Sequence, residues 1–573
     1  AYISEKYINK ILATVSYNQV RLDLPEKSVS KSKLEKDIKR IMGDSFSSVV
    51  MKENKISITQ VDEEINQIHK MAMLFSIVFI LLSILSIYTT MSRLISNQMV
   101  QIGTLKSLGF YDRQIYFHYG AYGFLVAIIG SLVGVIFGYT VVANLVMNIK
   151  KATLTLPIWK KSFGIDSMIL IVLIITVCTL AAIITTRKVI KNNPSFTIKG
   201  MLDKKSSGPG IYKKSRLSYD WLWTLRSIRI HPIRTFMSIT AIVGSIVLMV
   251  AGLGVWDSLY SSYQDVYNNE FCYKYIGQVY GESYNNLSRK FNSFDVQFAQ
   301  SETADFSFHG IEKSGSLLVL DSGDKIRIFD AKSKKKIKIE KDEVAIASQL
   351  AEQLDVKVGD KIAYKTKSSL NEHRVTVTAI VDAKMPQGIF IYKDKVKNFE
   401  PNTIYIGDSE AYEQAKKEES ISNIISIKKQ QDNMKEMMDS VHSIMYILIV
   451  AAFVLSVVIL YNLGILSYLE RYREYATMKV IGFKHSEIMG MVLKESFLNL
   501  LIGFVIGIPL SKQFLKLYIR VVSMDSMEWT PIIAKDHFLI VIFCVIGFSV
   551  LVNLVVSMRI RKIDMVEALK SIE

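Results

Sequence analysis

The eight histidines of this chain show no metal-ligand spacing, and its three cysteines, Cys178, Cys272 and Cys544, form no CxxC pair. No HExxH motif, no nucleophile elbow and no GxxxxGK[ST] phosphate loop occurs. Asp321-Ser-Gly-Asp324 reads as a turn between strand-like runs, and Lys332-Ser-Lys-Lys-Lys336 as a solvated hairpin end, with anionic-surface binding as its alternative. Lys494 and Glu495 lie inside an apolar run, where they could line a pathway; snorkelling at an interface is the simpler account. His69 and His442 fall where polar segments meet apolar ones, which suits an interfacial role better than a metal site. These residues point to a noncatalytic chain with no cofactor and no metal.

One short pattern does recur. Thr104-Leu-Lys-Ser-Leu-Gly-Phe110 returns 373 residues later as Thr477-Met-Lys-Val-Ile-Gly-Phe483, identical at four of seven positions. Each copy reads as a short amphipathic helix. Ile102, Leu105 and Leu108 form an apolar stripe matched by Tyr475, Met478 and Ile481, with Lys106 and Lys479 off it. Gly109 and Gly482 stand where the helix should stop, because glycine accepts the left-handed conformation. Asp112 and Ser486 follow as candidate caps of the next helix. The pattern predicts a rigid elbow, either docked on a partner or lying on lipid headgroups, which its lysines would also suit.

Seven apolar stretches, roughly 71–92, 116–147, 167–186, 235–256, 443–465, 489–512 and 537–558, are each long enough for a bilayer-spanning helix. The second is overlong and should include a non-membrane turn at one end. The net charge of +17 sits largely beside these blocks, so it argues for membrane-flanking loops rather than nucleic acid. The 187–234 segment holds twelve Lys and Arg against Asp203 and Asp220, and the last span ends in Arg559-Ile-Arg-Lys562. Both should be cytoplasmic, which places 1–70 and 257–442 outside and both elbows inside.

The repeat extends beyond the elbow. With the same shift His69 falls on His442, Gly109 on Gly482, Gly130 on Gly503 and Gly134 on Gly507. Residues 71–200 and 443–573 therefore read as two copies of one three-span unit. A basic linker at 201–234 and an entry helix at 235–256 precede the second copy. The segment 1–70 reads as the end of a first extracytoplasmic domain with its stalk, and 257–442 as a complete second one. This alignment predicts an N-terminally truncated chain from a protein with eight spans. Gly130, Gly134 and Gly138, like Gly503 and Gly507, put small residues on one helix face for close packing.

With Trp223-Thr-Leu-Arg-Ser-Ile-Arg-Ile-His-Pro-Ile-Arg-Thr235, Glu474-Tyr-Ala-Thr-Met-Lys-Val-Ile-Gly482 and the tail Glu567-Ala-Leu-Lys570, the chain resembles the FtsX-like permease family of MacB-type ABC transporters. Glu343-Val-Ala-Ile-Ala-Ser-Gln-Leu-Ala-Glu-Gln-Leu-Asp-Val-Lys-Val-Gly-Asp360 resembles the strand, helix and Val-Gly-Asp turn of that family's extracytoplasmic domain. The resemblance implies a polytopic α-helical membrane protein with a mixed α+β extracytoplasmic domain, in a bacterial cell membrane, with its C-terminus cytoplasmic. It implies a cytoplasmic ABC ATPase partner, expected as a dimer, and a protein, peptide or lipid substrate outside. The elbows would be coupling helices: Gln101, Ile102, Thr104, Leu105, Lys106 and Gly109 in one, and Arg473, Glu474, Tyr475, Thr477, Met478, Lys479 and Gly482 in the other. Gln101 where the second copy has Glu474 implies unequal contacts. The alternative is a nontransporting FtsX-like regulator of a cell-wall hydrolase or sensor kinase.

Within 257–442, Ser316–Leu320, Lys325–Phe329, Arg374–Val381 and Gly388–Tyr392 read as strands, and 344–355 and 409–418 as helices. In the N-terminal segment a strand at 18–24, a helix at 31–42 and Ser47-Ser-Val-Val-Met51 are expected. The polar stretches 54–70 and 427–442 would continue spans outward as stalks.

Overall fold

A computed structural model describes residues 20–22, 31–43, 56–153, 158–190, 219–230, 232–339, 343–366, 372–396, 399–523 and 526–561. Among these, seven helical stretches are long and apolar enough to cross a bilayer: Val61–Ile95, Asp112–Lys151, Ile165–Arg187, Pro232–Glu270, Ile427–Leu469, His485–Val522 and Lys535–Met558. A mixed sheet domain separates the fourth from the fifth. The chain is a polytopic helical membrane protein with an α+β domain.

The helices in chain order are α1 (Lys31–Met42), α2 (Ile56–Asn97), α3 (Met99–Ser107), α4 (Asp112–Phe137), α5 (Ala143–Thr153), α6 (Ile165–Ile190), α7 (Tyr219–Ile230), α8 (Pro232–Asp265), α9 (Tyr284–Lys290), α10 (Ser348–Leu354), α11 (Ser409–Lys417), α12 (Ile427–Glu470), α13 (Tyr472–Val480), α14 (His485–Val522) and α15 (Lys535–Arg561). The polar stretches ahead of α2 and α12 are helical from Ile56 and Ile427 and continuous with their spans, giving helices of 42 and 44 residues. At 1.5 Å per residue each is about 60 Å long, roughly twice the hydrocarbon thickness. The overlong second span contains no turn at its end. It passes from α4 into α5 through one π-helical turn, Gly138–Val142, so the helix is continuous.

Packing is centred on α8. Two thirds (67%) of its apolar window is buried, against 6% for Asp112–Lys151. Glycines admit its neighbours: a Cβ built at Gly252 would lie 2.3 Å from Ile449 of α12, and one at Gly254 would lie 2.6 Å from Leu515 of α14. The ion pair Glu64–Lys150 (2.9 Å), buried on both sides, ties α2 to α5.

Ten strands form one sheet: β1 (Tyr275–Val279), β2 (Val296–Phe308), β3 (Ile311–Leu320), β6 (Val344–Ala347), β7 (Lys361–Thr366), β8 (Glu372–Thr376), β9 (Ala379–Val381), β10 (Gly388–Tyr392), β11 (Thr403–Ile406) and β12 (Ile421–Ser426). The main order is β12-β1-β11-β2-β3-β10-β6-β9, with β7 and β8 branching from β2. β4 (Ile328–Phe329) and β5 (Lys336–Ile337) pair apart as a hairpin. The β3–β10 and β6–β9 pairs are parallel. Three expectations are corrected here. Val344–Ala347 is a fully buried strand, and helix α10 begins only at Ser348. The run 374–381 splits into β8 and β9, and the run 325–329 contributes a named strand only at Ile328–Phe329, with an isolated bridge from Ile326 to Phe271. Of the expected 18–24 strand, residues 20–22 are described and are not in a strand; the rest, like 47–51, lies outside the described residues.

Candidate coupling site

Both elbows close in the same way. Gly109 (φ +90°) and Gly482 (φ +101°) adopt the left-handed conformation, as the sequence predicts. Phe110 N donates to Leu105 O and Gly109 N to Lys106 O; Phe483 N donates to Met478 O and Gly482 N to Lys479 O. These are paired Schellman stops, which satisfy the last carbonyls of α3 and α13. The following caps differ from expectation. Asp112 and Ser486 lie inside the first turns of α4 and α14, not ahead of them. The side chains of Gln114 and Glu487 reach back to accept from Tyr111 N (3.1 Å) and Lys484 N (2.8 Å).

The apolar stripe also needs correction. Ile102 and Tyr475 are fully buried, and Leu105 and Met478 half-buried, but the third member faces outward: Leu108 is 72% and Ile481 71% exposed. Phe110, Tyr111 and Val480 are exposed beside them. Each elbow is thus rooted by one residue in its helical unit and ends in an uncovered apolar tip. On the outward faces Gln101, Thr104, Glu474 and Thr477 are exposed, and Thr104 Oγ1 back-bonds to Val100 O at 3.0 Å. Arg473 lies on α13, with its side chain outside the described residues.

The two lysines have a role that the stripe did not reveal. Lys106 Nζ donates to Ile190 O (2.5 Å), the last residue of α6, and pairs with Asp112 (3.2 Å). Lys479 Nζ donates to Arg561 O (3.2 Å), the last residue of α15. Each ammonium therefore ties its elbow to the last described carbonyl of the third span in its own unit. A lysine held this way braces the elbow instead of reaching lipid headgroups. In the sequence, a shift of 371 residues, two fewer than that of the elbows, aligns Ile190 with Arg561.

Behind α13 the second unit holds a buried charge cluster. Glu495 of α14 pairs with Arg234 of α8 (2.7 Å) and Arg471 at the α12–α13 junction (2.7 Å), and accepts from Ser227 of α7 (3.2 Å). Arg471 also donates to Ser227 Oγ and stacks on Trp223 of α7, 4.8 Å from the ring centre. Burial works against the Arg471 charge, yet Glu495 holds its pKa above the usual value. Tyr475 is buried against the same cluster, and burial raises its hydroxyl pKa. Glu495 is therefore no snorkelling interfacial carboxylate. It is the point where four helices and the elbow meet. At the aligned positions the first unit has Gln98 and Tyr122, and Gln98 instead accepts a neutral bond from Tyr119 (2.8 Å).

The packing glycines also divide by unit. A Cβ built at Gly503 would lie 2.5 Å from Ile242, and one at Gly507 2.8 Å from Ile246, so both are crossing points of α14 with α8. Gly130, Gly134 and Gly138 have nothing within 4 Å.

Among the described residues no group of three or more His, Cys, Asp or Glu side chains is placed to hold a metal. A search of curated proteins found no match to the chain. Residues 73–194 and 446–565 each match the family model described as FtsX-like permease C-terminal, and each matched region contains one elbow.

Proposed function

We propose that this chain is the transmembrane subunit of an ABC transporter of the MacB/FtsX type. A separate cytoplasmic ATPase, working as a dimer, would engage the elbows, and its closure would be carried through the helices to the sheet domain on the other side. The sheet domain would then grip, release or expel a lipid, lipoprotein or peptide without the cargo crossing the bilayer through this chain. The observation that carries the reading is the paired elbow. Two short helices at repeat-related positions are each stopped by a left-handed glycine, braced by a lysine and tipped by uncovered apolar residues. Burying two such tips in a partner is favourable by about 25 cal/mol per Å² of apolar surface.

The test is to isolate the full chain from its native membranes in mild detergent, identify any ATP-binding-cassette subunit that accompanies it, and measure ATPase stimulation after reconstitution. Glu474→Lys, beside the exposed tip of the second elbow, should release the ATPase or uncouple it while insertion stays normal. Gln101→Lys, reversing no charge, should do less. An ATPase that binds and is stimulated normally after Ile481→Asp and Leu108→Asp together would end this reading.

A further inference from the structure

The sheet domain is joined covalently to the membrane helices at two places, where α8 and its terminal turn lead into β1 and where β12 leads into α12. A third connection is noncovalent and involves α14. This 38-residue helix begins just beyond the second elbow, carries Glu495, runs without a break through Pro509 and ends at Val522. The loop that follows is fastened on two sides. Toward α8, Thr530 N donates to Ser262 Oγ (2.9 Å), Ile532 N to Ser258 Oγ (2.9 Å) and Ala534 N to Asp257 (2.7 Å). Toward the sheet domain, Gln349 Nε2 donates to Ser523 Oγ (3.1 Å) and Ser348 Oγ to Glu528 (2.9 Å). Glu528 N donates to Lys384 O (2.9 Å), Lys384 Nζ pairs with Glu528 (3.4 Å), and Arg520 pairs with Glu352.

These bonds converge on two segments of the sheet domain, the N-terminal part of α10 and the turn at 384–387. Both flank β6 and β10, adjacent strands toward the β9 end of the sheet. Glu270, in the last turn below β1, accepts from Lys384 N (2.7 Å) and Met385 N (3.3 Å), so the same turn also rests on the end of the α8 segment. A domain supported at three points tilts when one support moves against the others. α14 is held close to α8 at their crossing, where Gly503 and Gly507 receive Ile242 and Ile246.

We propose that α14 is a direct strut from the second elbow to the sheet domain, with Gln349, Ser348, Glu352 and Lys384 as its receiving contacts. A displacement of α13 would then tilt the sheet domain through β6–α10, beyond anything passed along the two stalk helices. The idea rests on the permease reading for its purpose, but its geometry is testable on the chain alone. Hydrogen exchange on the reconstituted full-length protein should find the amides of Thr530, Ile532 and Ala534 and those of α10 protected at least a hundredfold over a free peptide. Gln349→Ala with Glu352→Ala should reduce protection of α10 at least tenfold without changing that of the α12 stalk. Disturbing the far end, by Glu495→Gln, should raise exchange in α10 at least threefold. Where that variant fails to accumulate, Lys479→Ala is the milder substitute, with the same direction expected. Gly130→Ala, in the other unit, should leave α10 unchanged. Unprotected loop amides in the wild type would overturn the strut. So would α10 exchange that ignores both elbow-end variants. Failure to find an ATPase partner would overturn the permease reading while leaving these exchange results to judge the strut.

Discussion

Replacing Gly503 by alanine adds one methyl group at the crossing of α14 with α8. The added Cβ would sit 2.5 Å from Cγ2 and 3.0 Å from Cβ of Ile242. Ordinary carbon contacts lie at about 3.5–4.0 Å, so relief requires a local movement of about 1 Å. The obstructing atoms belong to a β-branched side chain held in one rotamer on a helix, so the strain moves the backbones apart rather than the side chain. Overpacking of this kind costs about 1–3 kcal/mol. At Gly507 the nearest atom is the mobile Cδ1 of Ile246, at 2.8 Å, and the cost should fall at the lower end of that range. Gly134→Ala meets nothing within 4 Å and should be neutral, or stabilising by up to about 1 kcal/mol through helix propensity. Thermal denaturation of the purified full-length protein in detergent should therefore rank Gly503→Ala below Gly507→Ala, and both below Gly134→Ala. The partner change Ile242→Ala removes the clashing Cγ2. Alone it should cost about 2–5 kcal/mol as a cavity, but combined with Gly503→Ala the loss should be smaller than the sum. Gly503→Ala as benign as Gly134→Ala, or strictly additive with Ile242→Ala, would refute the account of close helix approach.

Glu495→Gln strands two buried guanidiniums and should destabilise the second unit by about 3–5 kcal/mol, whereas Tyr122→Phe at the aligned position should be close to neutral in the same melting assay. Lys479→Ala removes the bond to Arg561 O and should cost about 1 kcal/mol or less, while raising hydrogen exchange across α13. The joint between the sheet domain and the α14–α15 loop should depend on pH. Burial pushes the Asp382 carboxyl up, but Lys334 and Lys384 outweigh it and hold it below the usual value. Burial pushes Lys384 down, but Glu528 and Asp382 carry it above its usual value. The Asp382 contribution is full above about pH 4, its unfolded pKa, and is lost as pH falls further; that of Lys384 is full below about pH 10 and is lost above. Protection of the loop amides should thus fall below about pH 4 and above about pH 10. Lys384→Met should lower the melting temperature by the equivalent of about 2 kcal/mol, the buried-pair cost discounted for the partly exposed Glu528, and should flatten the acid limb.

Spans, elbows and their glycine stops were legible because each rests on local rules: about 20 apolar residues for a crossing, and a left-handed glycine for a helix end. Recurrence at a fixed shift made two weak signals into one strong one. What stayed hidden depended on contacts between distant segments. Nothing near Lys106 or Lys479 names the carbonyls of Ile190 and Arg561 as their targets. Glu495 beside Lys494 looks like an interfacial pair until Arg234 and Arg471, 261 and 24 residues away in sequence, are brought onto it. Read alone, the run 344–355 suggests one helix, whereas the family resemblance implies a strand ahead of it; pairing with β10 and β9 makes Val344–Ala347 that strand.

The repeat leads one to expect two equivalent halves, and the side chains argue otherwise. Position for position, Gln98 faces Arg471, Tyr122 faces Glu495 and Ile102 faces Tyr475. The substitutions replace Arg471 and Glu495, the two charges of the second cluster with aligned counterparts, together, and a half-converted cluster would leave a buried charge unpaired at a cost of several kcal/mol. The two sets are therefore alternatives with no cheap intermediate, which keeps the units distinct. Glu495 lies on the helix that ends at the sheet domain, and the three ionic members of its cluster come from α8, α14 and the α12–α13 junction. Two of those helices connect covalently to the sheet domain and the third touches it. The second elbow is in this way rooted in every helix that supports the domain, whereas the first is rooted in α2, α4 and α6 through the cluster around Ile102. If both elbows receive the same push, the second has the shorter and stiffer route to the sheet domain.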